Sequence, residues 1–554
     1  MKASRGGQSK IVEVFDVEAN TGTAACKTLV SRPPILGPYM HDVCKLAQSW
    51  LHECRSHKQC PSTDETSLPT RVLALSQAPG DQQVNVKLVE TNGRAGRYVA
   101  LSHCWGSKDK APLKTTRHNR AEHLLNIPFD QLGKTFQDVV TLVCSIGIEF
   151  LWIDSLCILQ GDKSDWHAEA QSMGEVYRNA ALVVLASGAS DGTRGLFVTD
   201  REDSVQFRLP YIRNGIKRGF FNLATCPPGE DDPTRGPLQK RAWAFQERLL
   251  ARRVMTFMTG GISWSCNGLK ADESGKSTDF WMAEDSSWHY MLEAYIKKDL
   301  TYDSDRLEAL TGIVSQVKAH PGFDEAHYYS EYGVWSHQLE ADLLWKHSIP
   351  SFTTSSRELP TWSWAATEGA KKWLWRPHEK DRMQPMPATI QISRSGELMI
   401  ESGMSKCELA TVRVPFEFYD SRTRYEYIGN VMGSDFGFKT SPSHFICDPE
   451  NRKPVLGIGV YDQDRSVLRA KCIFMVEKMG KPYLSETSLS HDDNCEGTSL
   501  VAQYMRLEVR SASRYWALLI EPVGDNRYER VGVAMLFPHA YKALGAQVEE
   551  VHII

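Results

Sequence analysis

The stretch RYVALSHCWG, Arg97 to Gly106, sets Ser102, His103 and Cys104 side by side at the end of an apolar run. A cysteine within reach of a histidine is a candidate nucleophile with its own base. Neighbouring residues on a strand face opposite sides, so His103 and Cys104 pair poorly with each other, and Cys104 reads equally as a small buried hydrophobe. Asp154, in LWIDSLC, is the second candidate. A carboxylate set in so apolar a strand is costly unless it is paired or hydrogen-bonded. A catalytic or ligand-binding role would account for it, and so would a structural bond to Ser102, a backbone amide or Arg241. Glu169, one turn into KSDWHAEAQSM, is a third candidate carboxylate. Its plain alternative is a glutamate near a helix start, where negative charge is favoured anyway.

RAWAFQERLLARR places Arg241 and Glu247 among aromatic and aliphatic residues. An arginine fork suits a phosphate or carboxylate ligand, and a helix docked through an internal ion pair would show the same residues. Ser102 and Trp105 complete the expected ligand-binding set, with Trp105 and Trp152 as apolar walls. Cys54, His57 and Cys60 in CRSHKQC have the spacing of three zinc ligands, with Cys44 or His52 as a fourth. No second ligand pair follows, so a packed helix end is the default and no metal is assigned. The phosphate-loop, G-x-S-x-G and H-E-x-x-H signatures are absent from the sequence.

The elements that must hold these residues read as alternating strands and helices. YVALSHCW is a short apolar strand. KTFQDVVTLVCSIGI places Phe136, Val139, Val140, Val143 and Ile146 on one helical face, with Gly147 as terminator. FLWIDSLCIL reads as a nearly continuous buried strand with Asp154 in its middle. KSDWHAEAQSMGEVYRNA is a second helix with Asp165 as N-cap and Trp166, Ala170, Met173 and Tyr177 inward. ALVVLAS is a third strand. Strands without alternation, joined by helices, predict an α/β domain with a parallel sheet covered on both faces. At 554 residues the chain exceeds one ordinary core. The expected organisation is a flexible segment at 1–36, a helical lead-in at 37–95, the α/β domain at 96–260, and a mixed helical and β-rich region at 261–554. A hairpin is expected around Gly524-Asp525-Asn526. A net charge of −4 gives no general drive toward nucleic acid. No apolar run is long enough to span a membrane. With no apolar h-region at the amino terminus, thirteen cysteines without a paired framework read as reduced thiols in a cytoplasmic or nuclear protein, and cytoplasmic is the expectation.

Three ordered blocks resemble the fungal heterokaryon incompatibility (HET) domain: YVALSHCWG, the run from KTFQDVV to NAALVVLAS, and RAWAFQERLLARRVMTF. The likeness extends from Arg97 to Phe257, and WLHECRSHKQC, LTYDSDRLEALTGI and LPTWSWAA resemble flanking parts of such proteins. Two positions depart from the family pattern: His103 stands where tyrosine is usual, and Gly133 where proline is usual. The resemblance implies a fungal protein of non-self recognition acting as a cell-death effector, with the carboxy-terminal half regulatory. It also implies a flavodoxin-like sheet distantly similar to TIR domains, some of which cleave NAD through a helical glutamate, the role Glu169 would then take. NAD is thus a candidate substrate, and no cofactor is assigned. The alternative is an enzyme on the same scaffold, either a nucleotide glycohydrolase or one of fungal secondary metabolism. A protein partner or self-association is expected, with a nucleotide or other small molecule as candidate ligand.

Overall fold

Strands buried along their whole length form the centre of the amino-terminal sheet, and strands of alternating burial lie toward its edges. The computed structural model describes residues 15–18, 40–60, 65–77, 84–197, 205–225, 235–275, 277–279, 288–319, 323, 325–348, 359–374, 382–413, 443–447, 455–462, 469–479, 514–536 and 540–554. The chain divides into two units. The first is Met1–Ala283 with Lys298–Leu300 and Glu308–Gln316; the second is Glu284–Lys297, Thr301–Leu307 and Val317–Ile554.

The first unit is built on β1 (Arg71–Ser76), β2 (Asn85–Glu90), β3 (Tyr98–Ser102), β4 (Phe150–Ile153), β5 (Leu182–Leu185), β6 (Arg253–Phe257), β7 (Ile262–Cys266), β8 (Leu269–Asp272) and β9 (Ser277–Asp279). Their spatial order is β9-β8-β7-β6-β5-β3-β4-β1-β2. β3 lies between β4 and β5, parallel to both, and β6 runs parallel to β5. The three central strands are therefore parallel neighbours, as their unbroken apolar character requires. The sheet as a whole is mixed, which corrects the purely parallel expectation. β1 runs antiparallel to β4 and to β2, and β7, β8 and β9 continue antiparallel from β6. Two of these added strands carry the period-two signature of half-covered sheet, Asn85–Glu90 and Ile262–Cys266.

Among the described residues four longer helices flank the sheet: α1 (Met40–Cys54), α2 (Lys134–Ser145), α3 (Lys163–Asn179) and α4 (Ala242–Leu250). α1 packs with α2, and α3 with α4. The crossover through α2 moves the chain one way along the sheet, from β3 to β4; those through α3 and α4 move it the other way. Right-handed crossovers then put the two helix pairs on opposite faces. Gly147, at φ 72°, ends α2 as expected. Gly133 begins α2 so close to the loop after β5 that an added Cβ would lie 2.8 Å from the Gly192 carbonyl oxygen.

Several local expectations change. The helical reading of 37–95 holds for α1 alone, because Arg71–Ser76 and Asn85–Glu90 join the sheet. β4 stops at Ile153, and Asp154 opens a helical turn, Asp154–Cys157, so it does not lie inside a strand. α3 is capped by Asp162, whose carboxylate accepts the Ser164 and Asp165 amides; Asp165 is not the cap. Trp166 is exposed, and Glu169 occupies the buried stripe. Within segment 1–36, Phe15–Glu18 is a strand paired with Ile216–Thr225; the rest of that segment lies outside the described residues.

In the second unit, β10 (Leu398–Arg413), β11 (Ser443–Cys447), β12 (Val455–Tyr461), β13 (Arg469–Met479), β14 (Arg514–Gly524) and β15 (Arg527–Leu536) pair successively in the order β13-β14-β15-β12-β11-β10. A further pairing of β10 with β13 closes the ring antiparallel. Cys407, Cys472, Phe474, Leu519 and Ala534 belong to one buried core. β14 and β15 form the hairpin expected around Gly524-Asp525-Asn526, with Asn526 at φ 53°. In LPTWSWAA, Trp362 donates to the Gly396 carbonyl and Trp364 to that of Gly333. Arg530 is fully enclosed, paired with Asp462 at 2.6 Å and stacked on Trp345.

Candidate functional site

The carboxyl ends of β3, β4 and β5 lie together, and the chain reverses its direction of travel between β3 and β5. Ligands of open α/β sheets bind outside such a switch. β3 delivers Ser102, His103 and Cys104. Trp105 donates to Asp154 Oδ2 at 2.8 Å, and the Ser155 amide donates to Asp154 Oδ1 at 2.7 Å. Gly106 then turns at φ 74°, where an added Cβ would meet Asp191 at 2.6 Å, so the loops after β3 and β5 are in close contact. Across the end of β5, Gln239 donates to Ser187 Oγ at 2.9 Å. That crossing brings in Arg241, whose guanidinium donates to the His103 carbonyl, and α4 brings in Glu247.

The result is a buried polar floor beneath a half-buried rim. Ser102, His103, Cys104, Ser155, Tyr177 and Glu247 are buried; Trp105, Asp154 and Arg241 are partly exposed. Ser102 Oγ, both ring nitrogens of His103 and Ser155 Oγ have no hydrogen-bonding partner among the described residues. Orphaned polar atoms of this kind cost about 1–3 kcal/mol each. His103 Nδ1 stands 3.7 Å from Asp154 Oδ1, beyond hydrogen-bonding reach, and its ring meets Phe136 edge-on at 4.9 Å.

Burial sets the protonation of this floor. It pushes the His103 imidazole down to about 4, against the pull of Asp154, so the ring is neutral. The Cys104 thiol is driven up to about 11, again chiefly by burial, with Arg241 opposing, so it stays a thiol near neutral pH. The Glu247 carboxyl rises to about 7 through burial, held back by Arg241 and more weakly by the Ser102 and Tyr177 hydroxyls. Ser102 Oγ is near enough to favour the Glu247 anion without reaching hydrogen-bonding geometry. The floor thus offers a neutral imidazole, a thiol and a carboxyl that changes charge near neutrality. Trp152, expected as a wall, is instead enclosed against Tyr177 in the core.

Glu169 belongs to a different group. Arg71, from β1, donates to both Asp165 oxygens at 2.7 Å, to Glu169 at 3.2 Å and to the Cys157 carbonyl at 2.6 Å. Burial raises the Glu169 carboxyl, while the Thr70 hydroxyl and Arg71 pull it back. Arg71 carries no motif of its own, and a lone arginine opening the strand RVLALS is the only sequence signal of this pairing.

Cys54, His57 and Cys60 meet a residue the sequence reading missed. Cys266, at the end of β7, completes a set whose ligand atoms all lie within 4.8 Å of one another. Neither Cys44 nor His52 is the fourth member. The sulfurs are unequal: their mutual contact pushes the Cys54 thiol up and pulls the Cys266 thiol down. The available signal was Cys266-Asn267-Gly268, a cysteine two residues before a glycine, far from the first three.

A family model described as Heterokaryon incompatibility protein (HET) matches residues 98–247. No curated protein and no solved structure matches the chain. Every residue of the strand-end group, from Ser102 to Glu247, falls inside the matched interval, whereas Arg71, Cys54, His57, Cys60 and Cys266 fall outside it. Among the described residues no helix is long and apolar enough to cross a membrane.

Proposed function

Because residues 98–247 form a heterokaryon incompatibility domain, we propose that this protein acts in fungal non-self recognition as a regulated cell-death effector. The carrying observation is that the orphaned polar floor lies within the family domain, at the strand ends where α/β sheets take their ligands. On this reading Asp154, Trp105 and Arg241 receive a small polar ligand or a partner's side chain over Ser102, His103 and Glu247. The second unit, or part of it, regulates access or recognises the partner. Inducing the full chain in a filamentous fungal host should arrest growth, and Asp154→Asn should relieve the arrest at equal protein level. Equal toxicity of the variant, or no arrest by the parent chain, would overturn the reading.

One observation favours a second reading, an enzyme that cleaves NAD. Glu247 titrates near neutrality beside the strand ends, and a carboxylate there would stabilise positive charge developing on the ribose. Glu169 is less suited to that task, since Arg71 already occupies it. Purified protein should then release nicotinamide from NAD, Glu247→Gln should abolish the release, and Glu169→Gln should not. Absence of NAD turnover by the folded parent protein would remove this reading and leave the first standing.

A further inference from the structure

We propose that Cys54, His57, Cys60 and Cys266 form a structural zinc site that pins α1 and its following loop to the far end of the first unit's sheet. The four ligand atoms approach one another within 4.8 Å. His57 Nδ1 lies 3.7 Å from Cys60 Sγ and 3.4 Å from Cys266 Sγ. In a tetrahedron built on ordinary Zn–S and Zn–N distances, a sulfur-to-nitrogen edge is about 3.6 Å. The two measured edges bracket that value. Ordinary core packing gives no reason for three sulfurs and an imidazole nitrogen to share one vertex-sized space.

Charge supports the same identity. Three thiolates and one neutral imidazole around a divalent zinc leave one net negative charge, and Arg253 donates Nε–H to Cys54 Sγ at 3.1 Å from a buried position. A guanidinium beside a ligating sulfur is the outer-shell partner such a site takes. Gly268 is needed for the His57 ring to reach its place, because an added Cβ would stand 2.7 Å from it. All four positions are filled by protein, so the site is closed and structural, without an open position for catalysis. Its ligands come from chain segments 209 residues apart. α1 is anchored nearby as well, by stacking of Trp50 on Trp264 of β7 at 5.8 Å.

The test is elemental analysis of the full chain, purified without chelators from zinc-supplemented cells. One equivalent of zinc is expected, falling at least tenfold in Cys266→Ser and unchanged in Cys144→Ser, a cysteine outside the set. If Cys266→Ser yields no folded protein, cobalt exchange into the parent chain decides. Tetrahedral cobalt bands with strong thiolate charge transfer support the site. Folded parent protein without zinc, full zinc retention in Cys266→Ser, or exchanged cobalt without thiolate charge transfer would each overturn it.

Discussion

Replacing Glu247 by glutamine should stabilise the protein above neutral pH and leave its stability in acid nearly unchanged. The folded Glu247 carboxyl sits at about 7 against an ordinary value of 4.5, chiefly through burial. A folded value above the unfolded one means that the native site keeps a proton the unfolded chain releases. Below about 4.5 both states are protonated and Glu247 costs nothing. Between 4.5 and 7 the unfolded chain ionises first, and stability falls by about 1.4 kcal/mol per pH unit. Above 7 the accumulated loss is about 3 kcal/mol. Glutamine keeps the shape and never ionises, so it escapes the loss. His103 has the opposite tendency, since its folded value lies below its unfolded one, but it is common to both proteins and cancels in their difference. Urea unfolding of parent and variant at about pH 5, 6, 7 and 8 therefore isolates Glu247. The gap should open with pH to about 3 kcal/mol, or about 6 °C in melting temperature for a unit of this size. A gap that stays constant with pH, or a variant weaker at pH about 8, would refute the buried-acid account.

His103, held down to about 4 from 6.5 by burial, contributes stability that is complete above 6.5 and lost as pH falls through 4. His103→Phe, which keeps the edge contact with Phe136, should remove about 3 kcal/mol of that acid loss, read from urea midpoints in mild acid. Cys104, with its thiol pushed up to about 11, should alkylate on the order of a hundredfold more slowly than an ordinary thiol at neutral pH. Peptide mass spectrometry of iodoacetamide-treated native protein checks this, and rapid labelling of Cys104 would return it to the nucleophile candidates. Arg71→Met should cost about 3 kcal/mol by leaving Asp165 and Glu169 without their shared cation. Adding Glu169→Gln should restore part of the loss, and strictly additive effects would contradict the pairing.

The parallel centre of the sheet was legible because burial on both faces writes itself as an unbroken apolar run, as in YVALS and LVVL. The antiparallel margins were harder to read. RVLALS and NVKLVE are short, and nothing local tells a strand which sheet it will join. The strand before Asp154 was read too long, since an apolar run does not announce where a strand becomes a helical turn. Ser102, Asp154, Arg241 and Glu247 were legible as candidates from their polar character in apolar surroundings. The Arg71 pairing and the fourth member of the Cys54 group, Cys266, were not, because each is a meeting of distant segments that only the sheet order brings about. Cys266 and His57 are neighbours in space because β7 ends where α1 ends, and no spacing rule encodes that.

The position of α1 has a consequence for the order in which the chain can settle during synthesis. This helix is complete within the first 54 residues, yet Trp264 and Cys266, two of the groups it rests on, come more than two hundred residues later. At about 5–20 residues per second, a ribosome needs on the order of 10–40 s to supply them. β3 waits similarly, since both strands that flank it, β4 and β5, are made after it. The first helix among the described residues is thus among the last to acquire its full set of neighbours. Its apolar face, Val43, Ala47, Trp50 and Leu51, is the surface a nascent-chain chaperone would have to cover in the interval.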